Sequence, residues 1–267
     1  MPRPRKRFGQ HFLESAWVDK TIAAIAPQDN ETFLEIGPGR GALTLKLAAH
    51  ARHVVAWEID RDLAASLRAT AVPNLTIVEG DFLQATAGQI QDALGASGHP
   101  GAVRIAANLP YNVASPILFK LIDLRASGIR ATDATLMLQR EVADRLMASP
   151  GTKDYGVLTV LIEQHARIER IFNLPPGAFR PVPRVRSSVV RLRYHDPDPA
   201  PGNQRRFEAF DQAVFSHRRK MLRSSMEGLP TARRSASEAL AAAGIDGRRR
   251  PESLTLHELA HLADMYL

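Results

Sequence analysis

Apolar residues in the first two-thirds of the chain follow two alternating rhythms. Thr32–Ile36, His53–Trp57, Leu75–Glu79, Val103–Ala107 and Ala134–Leu138 are short, nearly continuous apolar runs, the pattern of strands in a covered sheet. Ala42–Ala49, Arg61–Thr70 and Val113–Leu124 carry the wider spacing of amphipathic helices. Another helix is predicted from Ser15, which can cap it, to Ala26, just before Pro27. Strand-like and helical segments that alternate in this way predict a parallel sheet with helices on both faces.

Ser187–Arg193 is the last predicted strand, and the turn-rich Asp196-Pro-Asp-Pro-Ala-Pro-Gly202 follows it. Beyond lie only helical patterns: Gln204–Phe215, Arg218–Met226, Arg233–Ala243 and Leu256–Tyr266. The predicted organisation is an α/β domain over residues 1–195 and a small all-helical domain over 203–267, with no internal repeat.

Composition narrows the chemistry. None of the 267 residues is a cysteine, which excludes a disulfide scaffold, a thiol nucleophile and thiolate zinc sites, and fits the cytosol. No apolar run approaches the length of a membrane span, and no apolar segment follows the basic N-terminus to make a secretory signal. The net charge of +7 is uneven. Residues 1–174 hold 19 Lys/Arg against 18 Asp/Glu, whereas 175–267 hold 16 against 10. Of those 16, 15 are arginine, which suits bidentate phosphate contacts and stacking on bases. Such a cluster favours a nucleic-acid partner; a basic surface that merely aids solubility is the alternative.

The first motif is Glu35-Ile-Gly-Pro-Gly-Arg-Gly41, between a strand and a helix. Gly37, Gly39 and Gly41 allow a tight turn and a close approach of backbone to ligand. The spacing is neither that of a dinucleotide fingerprint nor that of a P-loop. Glu58 ends the next strand, where a carboxylate can accept from both hydroxyls of a ribose. Asp81 follows the third strand and can hold an adenine amino group, with Phe82 against the ring. Alone, the loop is weak evidence, with a plain strand–helix turn as the alternative. Together with acidic groups at two successive strand ends it reads as a nucleoside site, because ligands bind open α/β sheets beyond the strand C-termini.

Asn108-Leu-Pro-Tyr111 ends the fourth strand. The N6 of adenine is a poor nucleophile, since its lone pair is delocalised into the ring. Two acceptors for its amino hydrogens would localise that pair: the Asn108 side-chain oxygen and the Leu109 carbonyl. Pro110 stiffens the turn, and Tyr111 offers a face on which a flipped base can stack. Catalysis of this kind is mostly positioning. A Pro-Tyr turn at a strand end is the plain alternative for the tetrapeptide taken alone.

These blocks together resemble the ribosomal RNA adenine dimethyltransferases of the small-subunit type, which are similar to the erythromycin-resistance methylases. The resemblance also includes Lys6-Arg-Phe-Gly-Gln-His-Phe-Leu13, Gln139-Arg-Glu-Val142, Tyr155-Gly-Val-Leu158, Pro176-Gly-Ala-Phe-Arg-Pro-Val-Pro183 and Ser187-Ser-Val-Val190. It implies a Rossmann-like methyltransferase sheet and S-adenosylmethionine as donor. It implies N6-dimethylation of two adjacent adenosines in the 3′-terminal hairpin loop of small-subunit RNA, during subunit biogenesis. Carried over by position, His11, Leu13, Gly37, Glu58, Asp81 and Asn108 would line the donor site, with Gly39 in the same loop, and Phe179 would be a second ring near the target base. Position 11 is His where the family often has Asn, and an imidazole can still donate to a carboxylate. The resemblance also implies a cytoplasmic monomer acting on pre-30S particles, with no metal and no membrane.

Several further features have two readings. Arg140 and Arg145 on a predicted helix are RNA contacts or a solvated face. Phe179, among prolines, is a ring offered to a base or a buried anchor. Arg5, Lys6, Arg7, Arg218, Arg219, Lys220, Arg223 and Arg248 are expected phosphate contacts or plain surface charge. His257-Glu-Leu-Ala-His261 matches a zinc-protease pattern, but its histidines lie opposite the apolar stripe and Thr255 with Glu258 makes a capping box. Two competing functions remain: the same chemistry on large-subunit RNA, conferring antibiotic resistance, and a non-catalytic RNA-binding assembly factor. The intact Glu58, Asp81 and Asn108 argue against the second.

Overall fold

A computed structural model describes residues 11–95, 101–227 and 233–267. Its elements in chain order are β1 (Phe12–Leu13), α1 (Ser15–Ile25), β2 (Thr32–Ile36), α2 (Ala42–Ala48), β3 (His53–Glu58), α3 (Arg61–Arg68), β4 (Leu75–Glu79), α4 (Ala87–Gly95), β5 (Val103–Asn108) and α5 (Ala114–Ala126). Then come β6 (Ala131–Gln139), α6 (Arg140–Leu146), α7 (Val157–Glu163), β7 (Ala166–Leu174), β8 (Phe179–Arg180) and β9 (Ser187–Tyr194). The last four helices are α8 (Gln204–Ser216), α9 (Leu222–Met226), α10 (Ala236–Ala243) and α11 (Leu256–Tyr266).

A seven-stranded sheet has the order β4-β3-β2-β5-β6-β9-β7. From β4 to β6 every neighbouring pair is parallel, and β9 joins β6 antiparallel. Strand β2 is buried along its whole length, as its apolar run requires. Phe33, Leu47, Val54, Ala106 and Val189 meet in one core cluster, and each large side chain of this kind contributes about 1.5–3 kcal/mol by leaving water. At the N-terminal end of the strands, Arg104 donates to both oxygens of Asp133 at 2.8 Å and to Glu31 at 2.9 Å. This polar clamp fixes the sheet at the edge away from the glycine loop.

The chain forms two compact units. The first takes the described residues through Ala143 together with Arg167–Tyr194; the second takes Asp144–Ala166 with His195–Leu267. The boundary therefore differs from a single crossing at the proline-rich linker. Residues 144–166 belong with the helices, because Gln164 donates to Pro199 and Gln204, and Tyr155 packs edge-on against Phe215 at 6.1 Å. Strand β7 escaped sequence reading because its apolar residues are interrupted by Arg167, Glu169 and Arg170, as suits a half-exposed strand at a sheet edge. Helix α9 is shorter than predicted: Arg218–Lys220 form a turn ahead of it. Helix α10 starts at Ala236, where Ser235 and Glu238 make a reciprocal cap.

The helical unit carries one unusual group. Asp211 on α8 is fully buried, and neither carboxylate oxygen has a hydrogen-bond partner. Burial pushes its carboxyl well above the ordinary carboxylate range. An unfolded chain loses this proton near pH ~4, whereas the folded chain keeps it. Stability contributed by the protonated form is therefore full below that pH and falls as pH rises towards the folded pKa. Asp211→Asn, which is isosteric and uncharged, should raise the thermal midpoint at pH 8 and leave it almost unchanged at pH 4. An equal shift at both pH values would show that ionisation of Asp211 does not limit stability.

Candidate active site

Parallel register brings the functional strand ends to one level. Ile36 pairs with both Trp57 and Ala107, Glu58 with Glu79, and Asn108 with Met137. The loops leaving β2, β3, β4 and β5 surround a cavity of about 370 Å³. His11, Leu13, Gly37, Gly39, Glu58, Asp81, Phe82, Asn108, Leu109, Pro110 and Tyr111 all line it. The residues expected at a donor site are thus brought together.

The glycine loop is shaped by backbone conformation. Gly37 and Gly39 have φ of +67° and +60°, a region that side chains disfavour. A Cβ on Gly37 would meet nothing within 4 Å, so that stretch of backbone faces open space a ligand can enter. Gly39 approaches the Phe12 ring instead, where a Cβ would come within 3.1 Å.

Glu58 holds this loop to the end of β3. One carboxylate oxygen accepts from the Gly39 N–H at 2.9 Å, and the other from the Asp60 N–H at 2.8 Å. The group is 3% exposed, and burial raises its pKa against the lowering effect of those hydrogen bonds. The Ile59 N–H also acts on this carboxylate, which with about four lone-pair sites keeps acceptor capacity for a ribose hydroxyl. Asp81 accepts from Leu83 N–H at 3.0 Å and so caps the short turn that carries Phe82. Phe82 is buried, edge-on to Trp57 at 6.0 Å.

Asn108 has a defined orientation. Its Nδ2 donates to the His11 backbone carbonyl at 2.9 Å. A carbonyl only accepts, so the amide nitrogen must face His11, which leaves Oδ1 as the acceptor. The turn after it is held by Leu109 N–H to Met137 O at 3.2 Å and by Val113 N–H to Pro110 O at 3.1 Å. The Tyr111 hydroxyl lies 2.9 Å from Ser187 Oγ, so the first residue of β9 fixes the ring. Burial raises the Tyr111 pKa, and the phenol stays protonated.

Phe179 does not sit as the resemblance implied. Phe179 is 1% exposed and lies in the core cluster rather than in the cavity lining. It pairs with Leu13 across β1 and β8 and so anchors the segment that carries His11. The His11 side chain lines the cavity as expected; its Nδ1 donates to the Pro181 carbonyl at 2.7 Å, and the ring stacks on Tyr111. Sequence reading also left Glu35 and Ile59 unassigned. Glu35 is 2% exposed beside the cavity, and burial pushes its carboxyl up to about 8. The signal was a carboxylate inside an otherwise apolar strand. Ile59 is a large apolar side chain left exposed on the cavity lining, a wall suited to an aromatic ligand.

The expected RNA contacts are dispersed. Arg140 is exposed at the start of α6. His217–Lys220 is a run of exposed residues after α8, and Arg223 and Arg248 are exposed as well, the latter paired with Asp246 at 3.0 Å. Arg5, Lys6 and Arg7 lie outside the described residues. In the zinc-protease-like pattern, Glu258 caps α11 and accepts from Arg249, which holds its carboxyl down at about 2. Among the described residues, no group of three His, Asp or Glu side chains could hold a metal, and no helix is long and apolar enough to cross a membrane.

Comparison with known proteins agrees with this geometry. The family model described as Ribosomal RNA adenine dimethylase matches residues 1–266. The ribosomal RNA small subunit methyltransferase A of Pseudomonas syringae pv. syringae is 40% identical, over 98% of this chain and 94% of that protein. The structure of the 23S rRNA methyltransferase ErmE superposes with a TM-score of 0.65 at 27% identity, over 95% of this chain and 98% of that one. A dimethyladenosine transferase from Plasmodium falciparum shares the fold with a TM-score of 0.78 at 24% identity, over 94% and 96% of the two chains.

Replacing Glu58 by Gln removes the charge from both backbone-bound oxygens. Affinity for S-adenosylmethionine should fall about 10- to 100-fold, the scale of a lost charge-assisted hydrogen bond. RNA affinity should change little. Calorimetry that finds donor affinity unchanged would remove Glu58 from the ribose site.

Proposed function

This chain belongs to the ribosomal RNA adenine dimethylase family and is an S-adenosylmethionine-dependent adenine methyltransferase; on that premise we propose that its substrate is two adjacent adenosines in the 3′-terminal hairpin loop of small-subunit ribosomal RNA. Each would receive two methyl groups on N6. The observation that carries the reading is the Asn108 amide, whose oxygen is left as an acceptor beside the Tyr111 ring. Identity of 40% to a small-subunit enzyme across almost the whole chain favours small-subunit over large-subunit RNA.

The residues present fit the donor. Gly37 faces open space, Glu58 offers acceptors at a ribose position, and Asp81, Phe82 and Ile59 suit an adenine ring and its amino group. The buried Glu35 carboxyl would be drawn to its ionised form by the donor's ammonium group. Bound there, S-adenosylmethionine supplies an electrophilic methyl group on a sulfonium.

This chain's own residues orient the acceptor. Asn108 Oδ1 and the Leu109 carbonyl take the two N6 hydrogens, which localises the nitrogen lone pair and aims it into the cavity. Tyr111 supports the base plane from a fixed hydroxyl anchor on Ser187. Methylated N6 is strongly acidic until it loses a proton, so water suffices as the base. The reaction depends on positioning, which can supply several kcal/mol, about 7–11 in well-oriented systems.

The second unit supplies phosphate contacts in this reading. Arg218, Arg219, Lys220, Arg223 and Arg248 are exposed there; Arg140 of the first unit, and Arg5, Lys6 and Arg7, are further contacts in this reading. The protein would act as a cytoplasmic monomer on pre-30S particles.

Mass spectrometry of small-subunit RNA, after incubation of undermethylated particles with protein and donor, tests the proposal. Two adjacent adenosines near the 3′ end should each gain two methyl groups. Methylation confined to large-subunit RNA, or absent, would overturn it. In the same assay, replacing Arg218, Arg219 and Lys220 by Ala should raise KM for RNA. It should also flatten the salt dependence by up to about 2–3 units of log K against log salt; an unchanged slope would show that these cations do not touch phosphate.

A further inference from the structure

The His11 and Tyr111 rings form a closed stack inside the cavity, with centroids 5.4 Å apart and planes tilted by 23°. Both line the same space as Asn108. Stacked aromatic pairs have centroids about 4.5–7 Å apart, so these two rings are already in direct contact. A base held between them would need roughly two stacking steps, and there is room for one.

The anchors on the two rings differ. Tyr111 is fixed through its hydroxyl to Ser187 and sits in a turn closed by Val113 N–H donating to Pro110 O. At His11, the backbone is fixed, because its carbonyl holds the Asn108 amide. Among the described residues, the side chain is held by Nδ1 donating to Pro181 O at 2.7 Å and by the stack itself. Rotation about χ1 can therefore swing the imidazole away without disturbing Asn108. Loss of one hydrogen bond to an accessible carbonyl is a modest cost, since water can replace it.

From this arrangement we infer that His11 is a placeholder for the target base. In the substrate-free protein the imidazole covers the Tyr111 face on which the flipped adenine stacks, and the adenine enters by displacing it. The inference rests on the proposed adenine chemistry and deepens it. His11 becomes a selectivity device: a base gains the Tyr111 face only if its own stacking exceeds that of an imidazole already in place. Purines stack over a larger area than imidazole and meet that condition; small or partly flipped bases do not. A ring at position 11 is compatible with the amide contact made by the backbone there.

The test is RNA affinity, read with a hairpin that carries 2-aminopurine at the target position. This fluorescent base reports its own stacking and lacks the N6 group, so it binds without reacting. His11→Ala keeps the backbone carbonyl and removes the ring. It should bind the hairpin about 3- to 10-fold more tightly than the parent, the scale of one aromatic stacking contact, with a larger fluorescence change. His11→Phe keeps a ring and should not bind more tightly than the parent. In a Tyr111→Ala background, removing the His11 ring should have no effect, a non-additivity that a merely structural role would not produce. If His11→Ala fails to bind donor, His11→Asn, which lacks the ring and keeps a hydrogen-bonding side chain, must show the same tightening. Weaker or unchanged hairpin binding in a donor-binding variant would overturn the placeholder and make His11 a wall of the slot or a bystander. Methylation by the parent is scored separately, so a failed placeholder leaves the adenine chemistry standing. A parent that methylates no adenosine would bring down the chemistry itself.

Discussion

The mouth of this cavity is organised around one side-chain amide. Asn108 carries one donor group and one acceptor, and the His11 carbonyl claims the donor. That bond turns Oδ1 away from His11, and an acceptor there is what an exocyclic amine requires. The constraint extends outward. It needs the segment before β1 to lie against the end of β5, which the pairing of β1 with β8 secures. It needs the Asn-Leu-Pro-Tyr turn to stay in register, which Leu109 secures through Met137 on the neighbouring strand. It needs Tyr111 beside the amide, which β9 secures through Ser187. Elements from both ends of the first unit thus converge on a single amide orientation.

In the proposed site the donor and acceptor halves are joined by the sheet itself. Glu58 uses both carboxylate oxygens to tie the glycine loop to the end of β3, and β2 lies between β3 and β5. A shift of one residue in either strand would turn Glu58 or Asn108 to the other face of the sheet. Burial of β2 along its full length makes such a slip costly, and the Arg104 clamp at the far edge opposes it further. In the proposed reaction catalysis rests on positioning, which requires this rigidity.

Much of this was legible in the sequence, for identifiable reasons. Strands β2 and β4 have the predicted limits because their apolar runs are bounded by polar or turn residues. Glu58, Asp81 and Asn108 stood out as polar groups at the ends of apolar strands, the place where an open sheet binds ligands. Strand β7 was hidden by its half-exposed, charge-interrupted pattern. The grouping of residues 144–166 with the helical unit was hidden because it depends on Gln164 and Tyr155 reaching partners 40 or more residues away. Phe179 was recognisable as an aromatic, but its anchoring role rests on a two-residue strand pairing that leaves no periodic signal. The stack of His11 on Tyr111 joins residues 100 positions apart and has no sequence signature at all.

The most direct test of the account is a crystal structure of the protein with an adenosine-containing hairpin and a non-reactive analogue of the donor. The account predicts Asn108 Oδ1 within about 2.7–3.2 Å of the target N6, a normal hydrogen-bond distance, with Nδ2 still donating to the His11 carbonyl. A target base seated elsewhere, or an Asn108 amide turned so that Nδ2 faces the base and the His11 carbonyl is released, would contradict it.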